Sequence, residues 1–297
     1  MRLRPGALLR AALAVLLLAL LWRLVDGGAA VRRLAGADAG LLAAAAAALV
    51  VQTLLSAWRW RLTAARLGLA LRPAEALREY WLAQLVNQAV PGGVAGDAAR
   101  ALRQSGQAGL MASGQAVAFE RLAGQLGLMA VMAAGFGGTL AVPGGLDWPL
   151  WVGGLWLAAG VAGLVLLAGV RRLAPGQAAA FRQAVGARGV RGVQAALSLG
   201  TASCNVAGFG LCAWAVGADL PAAGFVTLVP LVLMAMLVPL TIAGWGLREG
   251  AAAALFPLAG LAPAEGMAAS LAFGLVMLGT AAPGLAGLVW PAPVPRA

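Results

Sequence analysis

Asp97 and Arg100 stand three positions apart, so a single helical face carries both an acid and a base. Glu120-Arg121 interrupts a long apolar run, and Arg248-Glu249 follows a glycine-rich break. Charges within runs of this kind are costly in lipid, and they mark a pathway or a site by default. Neighbours in sequence do not share a helix face, so pairing is expected between elements, for instance Glu120 with Arg248 or Asp97 with Arg121. Two readings follow. In one, the pairs only lock broken helices together. In the other, Arg100, Arg121 and Arg248 line a polar chamber and bind a phosphate, for which a planar guanidinium is well shaped. Asp97, Glu120 and Glu249 would then set the chamber's charge or carry protons. Asn87 and Gln88 lie beside the first break, and backbone N–H groups at Gly92-Gly93 and at residues 244–246 could add anion contacts at a helix start. Trp245, inside the second break, is a candidate substrate contact.

What is missing narrows the chemistry further. The chain has no histidine, which removes His-based general base catalysis, Cys/His dyads and most zinc sites. It has no lysine, so all 21 basic residues are arginine and Schiff-base chemistry is excluded. Cys204 and Cys212, the two cysteines, lie eight apart in an apolar run and read as small buried side chains. No metal cluster and no cofactor is expected.

The elements that must position these residues are membrane helices. Of 297 residues 62% are hydrophobic and 10% charged, with mean hydropathy +0.89. A soluble fold of this length could not hide so much apolar surface, and disorder is excluded by the same numbers. Two cysteines are too few for a disulfide scaffold. The formal charge of +11 does not point to nucleic acid, because the arginines sit in short loops between apolar runs. Apolar runs are expected to span at about 7–25, 41–58, 110–137, 148–170, 195–216 and 267–290. The first could instead be a signal peptide, with a poor cleavage site at Gly28-Ala29-Ala30; a retained helix is preferred.

Two shorter segments, about 76–107 and 222–262, are broken by proline and glycine. The first reads Val90-Pro91-Gly92-Gly93 and continues to Asp97 and Arg100; the second runs from Val238-Pro239 to Gly244-Trp245-Gly246, Arg248 and Glu249. Such breaks free backbone groups that need partners in protein or in a wet cavity. A matching pair of interrupted segments in two halves of a chain points to a transporter binding site. If both segments dip in and return, the loops carrying Arg59, Arg61, Arg66, Arg72 and Arg78 and carrying Arg171, Arg172, Arg182, Arg188 and Arg191 fall on one side. Asp147, Asp219 and Glu265 fall on the other, and only Arg23, Arg32 and Arg33 are misplaced. The positive-inside rule then puts both termini in the cytoplasm. The expected fold is all-α: one membrane domain over 1–297, with halves of about 1–140 and 141–297. It has about six full spans and two re-entrant segments that form an inverted pseudo-repeat. Eight plain crossings are the alternative.

The run from Asn87 to Arg100 resembles the N-x-x-x-P-x-x-x-G-G-D-x-x-R signature of the lysylphosphatidylglycerol synthase transmembrane-region, or flippase-like, family. Phe119-Glu120-Arg121-Leu122-Ala123-Gly124 resembles its E-R-L-x-G element, and residues 239–250 resemble P-x-S-I-G-G-x-G-x-R-E-G. Ala95, Thr241 and Ala243-Gly244-Trp245-Gly246 depart from the commoner residues. The resemblance covers nearly the whole chain. It implies a bacterial inner-membrane protein similar to the lipid-translocating part of aminoacyl-phosphatidylglycerol synthases, without their soluble acyltransferase domain. The expected partners are membrane lipids, an anionic phospholipid or a polyprenyl phosphate. A flippase-like, non-enzymatic role is the leading expectation. An integral-membrane enzyme acting on a lipid phosphate, or a scaffold for a lipid- or glycan-synthesis enzyme, is the alternative.

Overall fold

The computed structural model describes residues 15–16, 19–20, 22–24, 26–90, 93–141, 149–236 and 244–289. Every regular element among them is helical: α1 (Gly27–Ala35), α2 (Ala39–Ala65), α3 (Pro73–Ala89), α4 (Ala95–Ala141), α5 (Leu150–Leu173), α6 (Pro175–Ala184), α7 (Arg191–Ala215), α8 (Ala222–Ala235), α9 (Leu247–Leu255), α10 (Pro263–Thr280) and α11 (Gly284–Val289), with a 3-10 turn at Phe256–Ala259. The helix starts follow local chemistry. Asp38 accepts from the Leu41 N–H at 2.7 Å to open α2, and Asp26 does the same for Ala29 at α1. Pro73, Pro175 and Pro263 open α3, α6 and α10, where a missing N–H removes nothing from the ladder.

Four helical stretches are long and apolar enough to cross a membrane: α2, α4, α7 and Pro263–Gly287. At 24 residues, α5 has the length of a span too. Most of the run at 7–25 lies outside the described residues. Large apolar side chains such as Leu54, Leu122, Leu126, Val165 and Leu275 face outward, as lipid-bathed helices require.

The two broken segments are hairpins, and they enter from opposite ends of the bundle. In the first, Gln104 donates to Glu75, Arg103 pairs with Glu79, and Asn87 meets Asp97, so the first part of α4 runs back along α3. Its base lies at the C-terminal end of α2, where Arg61 reaches the Leu71 carbonyl and the Ala70 N–H donates to Gln107. At Ala108-Gly109 the chain leaves helical geometry, with φ 83° at Gly109, and the remainder of α4 crosses as a separate rod. In the second hairpin, Gly224 of α8 faces the Ala259 side chain, so this segment also returns to where it began. Its base lies beside the C-terminus of α7, where Trp214 stacks on Phe225 and donates to the Leu220 carbonyl. The Asp38 N–H donates to the Ala215 carbonyl, which ties that end of α7 to the N-terminus of α2. The two bases therefore lie at opposite ends of α2, an inverted pair.

The main core joins α2, α7, α8, α9, the 3-10 turn and α10 through Leu49, Phe209, Leu228, Leu255, Phe256, Met267 and Phe273. A smaller core of Trp60, Leu69, Leu71 and Val117 sits beneath the first hairpin's base.

Two details extend the sequence reading. The basic connection after α5 contains a ten-residue helix, α6, laid on α4 by a Phe181–Phe119 edge contact and a Gln115–Gln177 hydrogen bond. Arg33, which the charge rule leaves on the poor side, pairs with Glu265 at 2.7 Å and donates to the carbonyls of Val216 and Gly217 at the end of α7. A cation at a helix C-terminus is stabilising there whatever the side of the membrane.

Candidate functional site

A cavity of about 270 Å³ opens between the first hairpin, the crossing part of α4, α2 and α7, with the second hairpin and α10 closing it. Its walls differ in chemistry. Arg59, Tyr80, Asp97, Arg100, Glu120 and Arg121 form the polar side, whereas Leu128, Leu233, Met236, Phe273 and Met277 form the apolar side.

The polar side is one continuous ion-pair network. Glu120 Oε1 accepts from Arg59 Nη2 at 2.6 Å and from the Tyr80 hydroxyl at 3.2 Å, while Glu120 Oε2 accepts from Arg100 Nη2 at 2.9 Å. Asp97 takes Arg100 on Oδ1 at 3.1 Å and Arg121 on Oδ2 at 2.5 Å. Asn87 donates to Asp97 through Nδ2, and its Oδ1 accepts the Gly96 N–H at 2.7 Å. Arg100 is fully buried between the rings of Trp60 and Tyr80, 4.6 and 4.7 Å away. Its Nε and Nη1 have no hydrogen-bond partner among the described residues. The side chain of Arg121 is 47% exposed, which makes it the accessible cation of the set.

These side chains reach one place for local reasons. Gly96 lets the two hairpin arms touch, since a Cβ there would overlap the Ala83 carbonyl. Gly124, one turn beyond Glu120, leaves room for Arg59; a Cβ would come 2.7 Å from its Nη2.

The second set of charges forms a separate cluster. Arg248 pairs with Glu249 at 2.7 Å, and Ser270 accepts from Arg248 Nε and donates to Glu249. Glu249 also accepts the Gly246 N–H at 2.6 Å. This corrects two expectations. Arg248 does not reach Glu120, whose oxygens are held by Arg59, Arg100 and Tyr80. Adjacent Arg248 and Glu249 do meet: at the first turn of α9 the Glu249 chain folds back toward the preceding loop, and the long arginine side chain bends to follow it. Arg248 stacks on Trp245 and on Phe273. Phe273 lines the cavity, so Trp245, Arg248 and Glu249 stand behind this wall and are absent from the lining. The six charges thus divide into four facing the cavity and two outside it.

The expected backbone anion contacts change as well. The N–H of Gly246 is taken by Glu249 at 2.6 Å and that of Gly93 by the Val90 carbonyl at 3.4 Å. Gly93 and Gln88 line the cavity; Gly92, with Pro91 and residues 237–243, lies outside the described residues.

Arg59 is the participant the sequence reading placed elsewhere, in a basic loop. The structure buries it at 3% exposure inside α2. A signal was present: Gln52, Ser56, Arg59 and Thr63 recur every three or four residues, a polar stripe on an apolar helix.

A family model described as the lysylphosphatidylglycerol synthase TM region matches residues 7–284. The chain belongs to this family. Neither a curated protein nor a solved structure gave a match. As a lysylphosphatidylglycerol synthase TM region protein, it is a multi-pass membrane protein of lipid-related processes.

Proposed function

We propose that this chain is a flippase-like transporter which takes the phosphate-bearing headgroup of an anionic phospholipid or polyprenyl-phosphate lipid into the cavity while the acyl chains stay in the bilayer. The observation that carries this reading is the half-exposed Arg121 beside buried Arg100 and Arg59, at a cavity with one polar and one apolar wall. Three arginines against two carboxylates leave one net positive charge. An anionic phosphate offers lone pairs to the half-exposed Arg121, with the positive charge of buried Arg100 behind it, and bonds of this charge-assisted kind are strong away from water.

A non-enzymatic role is supported by the state of the acids. Asp97 and Glu120 each accept from two arginines, so neither is a free general base. The proposed setting is the bacterial inner membrane, with the arginine-rich base of the first hairpin in the cytoplasm, as the charge bias favours.

The test is lipid crossing in vesicles. Reconstituted protein is expected to speed the movement of a headgroup-accessible fluorescent anionic lipid between leaflets. Arg121→Gln and Arg100→Gln should remove that acceleration. No acceleration with any anionic lipid, from folded protein, would overturn the reading.

A further inference from the structure

The polar stripe of α2 has a counterpart on α7. There Gln194, Ser198, Thr201 and Asn205 recur every three or four residues, the spacing of Gln52, Ser56, Arg59 and Thr63 on α2. The two stripes face each other in antiparallel register. Gln194 Nε2 donates to the Thr63 hydroxyl at 3.0 Å, and Arg59 Nη1 donates to the Ser198 hydroxyl at 3.5 Å. The same register sets Ser56 against Thr201 and Gln52 against Asn205, and all four of these line the cavity. One helical turn, about 5.4 Å, separates each level from the next. The row therefore runs from the cavity to Thr63 and Gln194, at the arginine-rich end where α2 finishes and α7 starts. Gln194 and Arg59 are 1% and 3% exposed, yet Gln194 Oε1 and Arg59 Nε have no hydrogen-bond partner among the described residues. A seam that only locked two spans together would leave neither group bare, because a bare buried polar atom costs stability. A buried water satisfies such groups where several polar atoms converge.

We propose that the α2–α7 seam is a water file that connects the arginine-rich end of the bundle to the cavity. Thr63, Gln194 and Ser198 lie outside the cavity lining and form its entry. The side chains suit water at each level. The Thr63 and Thr201 hydroxyls each donate to a backbone carbonyl one turn back, which leaves their lone pairs to accept. Gln194 adds a free carbonyl acceptor and Arg59 a free N–H donor one level on. The file brings solvent to the ion-pair network from one side. Arg59 stands in the seam and holds Glu120 at 2.6 Å, so the buried pair is hydrated from that end. Water there lowers the cost of opening the pair, which in dry surroundings would leave two bare charges. The inference goes beyond the cavity's cargo and holds for any occupant.

The experiment follows silver ion, a small soft cation that binds thiolate and does not enter lipid. The whole chain, with Cys204→Ala and Cys212→Ala, is placed in sealed vesicles, and its orientation is read at Arg72→Cys. Ser198→Cys exchanges one atom and supplies the reporter thiol. Silver nitrate on the arginine-rich side should consume the Ser198→Cys thiol at least about tenfold faster than that of Leu54→Cys, which faces lipid on α2, because a thiol ionises and meets ions only where there is water. Gln194→Leu and Thr63→Val, each added singly to Ser198→Cys, strip polar partners from the entry and should slow the reaction about tenfold or more. Thr63→Val keeps the side-chain shape, so it reads the entry even where the leucine variant fails to fold. A Ser198→Cys thiol that stays intact, or that reacts no faster than Leu54→Cys, overturns the file. So does an unchanged rate in folded Thr63→Val, which would mean access through the cavity alone.

Discussion

Arg59 and Glu120 meet at 2.6 Å across 61 positions of sequence, with side-chain exposures of 3% and 0%. The pair fixes α2 to the crossing part of α4 at the cavity's floor, and Glu120 extends the link to Arg100 on the first hairpin. Removing the acid alone leaves buried Arg59 without a counter-charge and Arg100 with Asp97 alone. Glu120→Gln should therefore lower stability by about 3–5 kcal/mol, read as thermal unfolding in detergent. Adding Arg59→Met should cost less than the sum of the two single changes, with a coupling of about 0.5–3 kcal/mol. Strict additivity would show that the pair does not hold the helices together.

Arg121 tests binding apart from folding. Its side chain is half-exposed and pairs only with Asp97 among the ion pairs described, so Arg121→Gln should change stability by no more than about 1 kcal/mol. Affinity for vesicles of anionic lipid should still drop about tenfold or more. Unchanged affinity would remove Arg121 from the site.

Close approach within the first hairpin makes a sharper steric prediction. A Cβ at Gly96 has no room against the Ala83 backbone, so Gly96→Ala should destabilise by about 1–3 kcal/mol. Gly106, in the same arm of α4 with open space around it, is the control. Gly106→Ala should be neutral or stabilise by up to about 1 kcal/mol, since alanine favours helix. Equal responses at the two sites would argue against the tight hairpin.

Topology can be read by labelling single cysteines from either side of a sealed vesicle, with Cys204 and Cys212 changed to alanine. Arg72→Cys and Gly106→Cys should react from one side. Ala222→Cys and Ala262→Cys should react from the other. Eight plain crossings would put Arg72 and Gly106 on opposite sides.

The hairpins were legible because Pro91-Gly92-Gly93 and Pro239 with Gly244 and Gly246 contradict an unbroken span, and cost in lipid demanded pairing between elements, of which Asp97 with Arg121 was one of two expected instances. Charge alone could not say which of four arginines Glu120 would choose. Arg59 was hidden by its neighbours: with Arg61 and Arg66 close by, it reads as part of a loop, although α2 continues to Ala65. The polar stripe through Gln52, Ser56 and Thr63 is periodicity information, which a charge-based reading passes over. Arg248-Glu249 was misplaced for another reason. The rule against neighbours sharing a face holds in mid-helix and weakens at a first turn, where Glu249 folds back to cap Gly246.

The kink at Ala108-Gly109 separates two ends of the same contacts. Asp97 and Arg100 lie before it, Glu120 and Arg121 after it, so two ion pairs act as clasps across a bend in the helix. Under the proposed transport function, cargo and clasp compete for one guanidinium: a phosphate that draws Arg121 away from Asp97 opens one clasp by the act of loading. The hairpin is expected to be latched when empty and freer when occupied, which couples its motion to cargo with no separate sensor. Asp97→Asn should mimic the loaded state, raising amide hydrogen exchange over 95–107 in empty protein while exchange in α7 stays as it was.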